Sequence, residues 1–522
     1  MYKWLVCLLI SVLCSSCTQI TTQSDVDNEL PKKAKFSAEE KQQLHKLYTQ
    51  PERSVTVTVT ESNKLHTIPK GFAGINMSYF NTTDDMWEKY DLLSKLKAAN
   101  VGSMRYPGGE ETSFFHWQYP GVNGYEDIWD APKEHGTSPG RGRFQVTWVD
   151  PSEWQTNDSF LSLDEFMQKC TAIDAEPILG INLSSGKKHN RQADGINEAL
   201  EMMRYCQTKN YIVKYWFLDN EPWNHEAHYQ FNGQQYKDEV IAYGKAIKKE
   251  FPNAKLIVNP TTSGSYNWWQ GLEEFVHDTG DVIDYLDVHW YWAWGQGSFD
   301  LWADQQPLRT GDKWKRKEWD RPYADDIRMI KETIAKAGYP EIGLVVLEWN
   351  IAPSKWTYTF NQSLIAIIQA ELLMEYASAG VELTCLWPFI WRSDRDVWSE
   401  QDSFPGIVTQ NPPYNPTLSC DMFQMVSNIQ QSTVLQSQSD NQDLRVLVTE
   451  NAKGIRHILL INKNALRRKV TINFEGEISK ITASKMIAMK NQVLMPCTAE
   501  INQSGDVIIF TEPYSFVFIS AK

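Results

Sequence analysis

The sequence predicts an α/β fold, a (β/α)8 TIM barrel followed by a C-terminal all-β sandwich. Three observations predict it. Eight short apolar, β-rich runs lie at 72–77, 101–106, 177–183, 214–218, 255–258, 285–290, 342–347 and 382–387. Amphipathic stretches separate most of them, as at 85–99, 163–173, 196–206, 324–337 and 364–379. Beyond about residue 415 the helical period stops, and short strand-like runs recur between polar turns.

Strand–helix alternation implies a parallel sheet, and eight such units suit a closed barrel. An open doubly wound sheet is the alternative, but no GxGxxG follows the first run, which disfavours it. The C-terminal runs at 444–448, 457–461, 470–474, 507–511 and 515–519 have the length and spacing of a small sandwich. Residues 54–60 read Ser-Val-Thr-Val-Thr-Val-Thr, a period-two strand that can join that β-domain. The expected organisation is a leader at 1–17, a tether with a short helix at 18–50, and the joining strand at 51–65. The barrel follows at 66–415 and the β-domain at 416–522.

Composition narrows the function. With 51 basic and 65 acidic residues the formal charge is −14, which argues against a nucleic-acid partner. The 21 Trp, 22 Tyr and 21 Phe point elsewhere, because indole and phenol rings stack on the apolar faces of sugars.

The first residues read as an address. Lys3 precedes a short apolar run at 5–13, then Ser15, Ser16 and Cys17. This resembles a bacterial lipoprotein signal with Cys17 as the lipidated residue, although Cys14 stands where an aliphatic residue is usual. The run is too short to span a bilayer. Export across the inner membrane and a lipid anchor in the periplasm or at the cell surface are therefore expected, with plain secretion as the alternative. Cys170, Cys206, Cys385, Cys420 and Cys497 are widely spaced and odd in number, so neither a disulfide framework nor a zinc site is indicated.

In a (β/α)8 barrel the site forms at the carboxyl ends of the strands. Those ends carry Arg105-Tyr106-Pro107-Gly108-Gly109 after the second run and Asn182 after the third. Asp219-Asn220-Glu221-Pro222-Trp223 follows the fourth, and His289-Trp290-Tyr291 ends the sixth. Glu348-Trp349-Asn350 ends the seventh and Trp387 the eighth. Glu221 and Glu348 would face each other across the mouth. Retaining glycoside hydrolysis needs two carboxyl groups about 5–5.5 Å apart, one as acid/base and one as nucleophile. Taken singly, Asn-Glu-Pro is a weak signal and Glu221 could be a solvated strand-end residue; the joint placement carries the reading.

At this point the chain resembles glycoside hydrolase clan A, whose acid/base follows Asn after the fourth strand and whose nucleophile ends the seventh. The resemblance implies Glu221 as acid/base, Glu348 as nucleophile, Asn220 on the sugar 2-hydroxyl, and Arg105 and Tyr291 on the nucleophile. His289, Trp223 and Trp387 would support the site or bind substrate. Within the clan, residues 164–186, 105–109 and 289–291 and the β-domain look similar to the α-L-arabinofuranosidases of family 51. Two positions depart from that family: Gly74 stands where it carries a sugar-binding Glu, and Glu110 where it carries Asn. Clan-A enzymes of algal galactans, agarases and porphyranases, share much of the pattern too.

Tryptophans and phenylalanines cluster in the connections that follow the second, sixth and eighth strands. They are Phe114, Phe115, Trp117, Trp129, Trp148 and Trp154; then Trp292, Trp294, Trp302, Trp314 and Trp319; then Trp391 and Trp398. If they face the mouth they wall a groove for several sugars; otherwise they form a loop core. The expected activity is a retaining hydrolase of a plant or algal cell-wall polysaccharide, an agar- or porphyran-type galactan or a hemicellulose. A family-51-type α-L-arabinofuranosidase and a non-catalytic carbohydrate-binding surface lipoprotein are the alternatives. No cofactor is expected, and a metal-dependent hydrolase is disfavoured because no His/Asp ligand cluster is evident.

Overall fold

The computed structural model describes residues 53–79, 81–119, 127–130, 160–224, 229–261, 271–294, 297–310, 320–352, 362–390, 404–488 and 494–522. The expected leader, Cys17 and the tether lie outside these residues. After β1 (Arg53–Thr67), eight parallel strands close into a barrel in chain order. They are β2 (Ala73–Asn76), β3 (Ser103–Tyr106), β4 (Glu176–Ile181), β5 (Tyr215–Leu218), β6 (Lys255–Val258), β7 (Tyr285–Trp292), β8 (Gly343–Ile351) and β9 (Thr384–Leu386). Each overlaps one of the eight expected runs.

Period-two alternation divides the strand residues between two cores. Ile178, Tyr215, Phe217, Ile257, Tyr285, Val345, Leu347 and Cys385 fill the barrel axis. Their chain neighbours Leu179, Trp216, Leu256, Leu286 and Val346 pack outward against the helices. Among those helices, Leu163–Ile173 begins with a full capping box, Ser162 and Glu165 each satisfying the other's backbone N–H. The single helix expected at 85–99 is two, Asp84–Lys89 and Leu92–Ala99, divided where Asp91 takes φ 48°. The helix Gln362–Ser378 is not amphipathic as expected: it is buried almost all round, with β8 on one side and β-domain strands on the other.

The C-terminal strands are β10 (Ser432–Ser439), β11 (Leu444–Asn451), β12 (Arg456–Asn462), β13 (Arg468–Asn473), β14 (Ile481–Ala488), β15 (Leu494–Pro496), β16 (Ala499–Ile501), β17 (Val507–Thr511) and β18 (Ser515–Ala521). They form one mostly antiparallel ladder, β15-β14-β18-β12-β11-β10-β1-β13-β17-β16. The ladder curls until β14 and β16, near its two ends, touch. Strand β1 sits inside it, antiparallel to β10 and parallel to β13. Val55, Val57 and Val59 point into its core beside Ile458, Ile472 and Ile509, as the alternating Val-Thr pattern requires.

Candidate active site

The mouth of the barrel is lined by inward-facing residues at the strand ends. On β7 the alternation turns Asp287, His289 and Tyr291 toward the axis, while Leu286, Val288, Trp290 and Trp292 belong to the outer core. On β3 the inward residue is Arg105, fully buried with its guanidinium 4.2 Å over the Phe217 ring.

Donors from two strands, β3 and β7, converge on Glu348. Arg105 Nη1 donates to its Oε1 at 2.8 Å and the Tyr291 hydroxyl to its Oε2 at 2.8 Å. His289 Nδ1 lies 3.5 Å from Oε2. Burial would push this carboxyl up, but the charges of His289 and Arg105 and the two hydrogen bonds outweigh it and hold it below the usual carboxylate range. Burial drives the Tyr291 phenol well above its ordinary value, so it remains a donor.

Glu221 sits in different surroundings. Its Oε1 lies 2.9 Å from His289 Nδ1 and its Oε2 accepts from Asn224 Nδ2 at 2.9 Å. A short irregular turn places it, with Asp219 at φ 64° and Glu221 at φ 39°. The Asp219 carboxylate holds that turn by accepting from the Ser113 and Ser184 hydroxyls and from three backbone N–H groups, those of Leu183, Ser184 and Asn220. Asn220 Oδ1 accepts from Arg105 Nη2 at 2.6 Å.

His289 is buried between Asp287, 3.0 Å from its Nε2, and the two glutamates. Burial alone would lower its pKa, but Glu348, Asp287 and Glu221 reverse that and raise it to about 10. His289 thus bridges the two glutamates. One oxygen of each glutamate and a ring nitrogen of His289 lie within 4.8 Å of one another.

The other expected residues divide. Trp223 stands beside the acid/base candidate, its indole donating to Asn259 Oδ1 at the end of β6. Trp387 approaches Gly109 so closely that a Cβ there would be 3.2 Å from the indole and 2.6 Å from Glu348 Oε1. Asn182 turns to the backbone of Phe115 and to Ser185. Gly74 faces the axis beneath the site, where a Cβ would meet Ser103 Oγ at 2.2 Å and the Thr384 carbonyl at 2.5 Å. No side chain at 74 fits without a shift of β9.

The tryptophan groove needs correction. Trp292 is the last residue of β7, and Trp302 lies in the helix Phe299–Asp304. Both are fully buried, and their indoles donate to Gln305 and Glu371. Phe114 and Phe115 are buried too, Trp117 packs on Tyr205, and Trp129 lies between His116 and Arg191. Trp294 is exposed at the mouth, edge-on to Tyr291 and beside Phe404. Trp148, Trp154, Trp314, Trp319, Trp391 and Trp398 lie outside the described residues.

The expectation that no His/Asp cluster exists also needs correction. Asp127, Asp130 and His189 bring donor atoms within 4.8 Å of one another. Internal donors occupy the carboxylates: His116 and the Ser185 hydroxyl on Asp127, and Lys188 on Asp130. The group ties the connection after β3 to the helices Ser184–Lys188 and Gln192–Thr208. Sequence reasoning missed Asn76, Asp219, Asn259 and Asp287. Of these, Asp219 stands in the strand-end run with Asn220 and Glu221 but was given no role, and Asp287 lies two residues before His289 on the same strand face.

No family model matches the chain. In sequence it is 28% identical over 233 residues to the probable α-L-arabinofuranosidase C of Aspergillus fumigatus, covering 40% of this chain and 41% of that one. The chain thus spans about two fifths of the length of the curated relatives it matches. Among solved structures, the family 51 α-L-arabinofuranosidase AbfB of Bifidobacterium longum superposes with a TM-score of 0.67 at 12% identity, over 90% of this chain and 100% of that one. The α-L-arabinofuranosidase of Thermotoga maritima, solved with arabinose, gives 0.64 at 17% identity over 90% and 99%. At such identities the structural likeness is one of fold. In sequence over two fifths of its length, and in fold over nine tenths, the chain is similar to the α-L-arabinofuranosidases, whose family 51 members share its barrel and β-domain.

Proposed function

We propose that the chain is a retaining glycoside hydrolase of plant polysaccharide, with α-L-arabinofuranosidase its best-supported activity. The observation that carries the mechanism is the spacing of Glu221 and Glu348, with carboxylate oxygens within 4.8 Å. This suits the retaining separation of about 5–5.5 Å between carboxyl groups. The relatives favour the arabinofuranoside over the galactan as substrate.

In this reading the ionised Glu348 attacks the anomeric carbon as the leaving C–O bond breaks, and Glu221 gives its proton to the departing oxygen. Water then adds to the glycosyl-enzyme, giving its proton to Glu221 and releasing Glu348. Arg105 and Tyr291 keep the nucleophile ionised and aimed. Asn220 Oδ1 is committed to Arg105, which leaves its amide N–H groups for a sugar hydroxyl.

The test is turnover of 4-nitrophenyl α-L-arabinofuranoside and arabinan beside agar and porphyran, with the anomer of the first product read by NMR. Retention is expected, with hydrolysis falling on the order of 10⁴-fold or more in Glu348→Gln. An inverted product, or undiminished hydrolysis by that variant, would refute the mechanism. Turnover of agar or porphyran alone would move the substrate to the galactans.

A further inference from the structure

The inward aim of Glu348 is not what strict alternation would give. Along β8, Leu344 and Val346 face the helices and Val345 and Leu347 face the axis. A regular strand would therefore send Glu348 outward and Trp349 inward. Instead Trp349 lies in the outer core and Glu348 meets Arg105 in the mouth.

The cause is a bulge, visible from both sides of the strand. Against β7 the register runs Asp287↔Val345 and then His289↔Glu348. Against β9 it runs Val346↔Thr384 and then Trp349↔Leu386. Both ladders count one extra residue in β8, and Leu347 is paired in neither. Two consecutive side chains, Leu347 and Glu348, then face the axis, as a bulge allows.

The main chain of Leu347 is caught by two buried side chains from other strands. Its N–H donates to Asp287 Oδ1 at 2.8 Å. Its carbonyl accepts from Asn76 Nδ2 at 2.8 Å. The same two residues hold the partners of the nucleophile. Asp287 Oδ2 lies 3.0 Å from His289 Nε2, and Asn76 Oδ1 accepts from Arg105 Nη1 at 3.0 Å. Backbone and side-chain orientation of Glu348 are thus set by one pair of anchors.

We propose that Asp287 and Asn76 are positioning residues for the nucleophile: by holding the two backbone groups of Leu347 they stabilise the bulge that turns Glu348 toward the barrel axis. The proposal rests on the glycosidase reading for its kinetic consequence, but not for its structural one.

The test compares Asp287→Ala, which removes the acceptor, with Asp287→Asn, which keeps one for Leu347. With 4-nitrophenyl α-L-arabinofuranoside, Asp287→Ala should lose on the order of 10²-fold in kcat with KM held within about threefold, and Asp287→Asn should recover to within about tenfold of wild type. Crystal structures of the two variants should show Glu348 withdrawn from Arg105 in the alanine form and in place in the asparagine form. If Asp287→Ala does not fold, Asn76→Ala carries the same kcat and structural expectations. Full kcat in a folded alanine variant, equal losses in both Asp287 variants, or an undisplaced Glu348 in the alanine form would overturn the proposal. Failure of the wild type to hydrolyse the probe would refute the arabinofuranosidase reading instead, and the crystal structures would still decide this one.

Discussion

His289 is where charge and geometry are most tightly linked. It is buried, yet the charges of Glu348 and Asp287 and the hydrogen bonds to Asp287 and Glu221 raise it from 6.5 to about 10. A group whose folded pKa is raised contributes stability that is fully present below its unfolded value and is lost as pH rises through the folded one. The thermal midpoint of the protein should therefore fall as pH rises from about 6.5 to about 10, and His289→Phe should flatten that slope. The same variant removes a cation that holds Glu348 low, so the acidic limb of kcat/KM should move to higher pH. An unmoved limb would show that Arg105 and Tyr291 suffice to keep the nucleophile ionised. Glu111 is a second perturbed group, its carboxyl raised by burial to about 7 with the Ser78 hydroxyl on one oxygen.

At the scale of elements, the segment after β3 is shaped by close approach. Gly108 takes φ +135°, a conformation that favours glycine. At Gly109 the space is closed to a side chain, with Glu348 Oε1 2.6 Å from a Cβ and the Trp387 ring 3.2 Å away. Gly109→Ala should lower kcat on the order of 10²-fold by displacing the nucleophile, while thermal melting stays near wild type. A large loss of melting temperature with kcat preserved would mean that the glycine serves folding rather than aim. The turn at 219–221 and the β8 bulge act in the same sense, each using irregular backbone to aim one carboxylate.

At the scale of the molecule, a buried ion pair docks the β-domain on the barrel. Lys463 Nζ lies 2.9 Å from Glu371 Oε1, with both side chains wholly buried, and the Trp302 indole donates to Glu371 Oε2 at 2.7 Å. Arg445 reaches Glu375 on the same helix, Gln362–Ser378. Removing one partner of such a pair leaves a buried charge unpaired. Lys463→Met should destabilise the protein by about 3–5 kcal/mol in urea unfolding, and Lys463→Met with Glu371→Gln should recover most of it. Equal stability of the single and double variants would show that Arg445, 3.8 Å from Glu371 Oε1, suffices to pair that charge.

The barrel, the β-domain with its N-terminal strand, and the two glutamates, Glu221 just after β5 and Glu348 in the last half of β8, are legible in the residue order alone. These are local properties: period-two alternation, apolar runs between helices, and polar residues at strand ends. How the glutamates are aimed is settled by contacts between strands distant in the chain. The run Gly-Leu-Val-Val-Leu-Glu at 343–348 reads as a regular strand, and its bulge is visible only against β7 and β9. Asn76 and Asp287 look like ordinary strand residues until β2 and β7 bring them to the Leu347 backbone. The burial of Trp292 and Trp302 and the enclosure of the helix 362–378 were hidden for the same reason. Register, and which face an element finds covered, follow from hydrogen bonds and contacts between segments far apart in the chain.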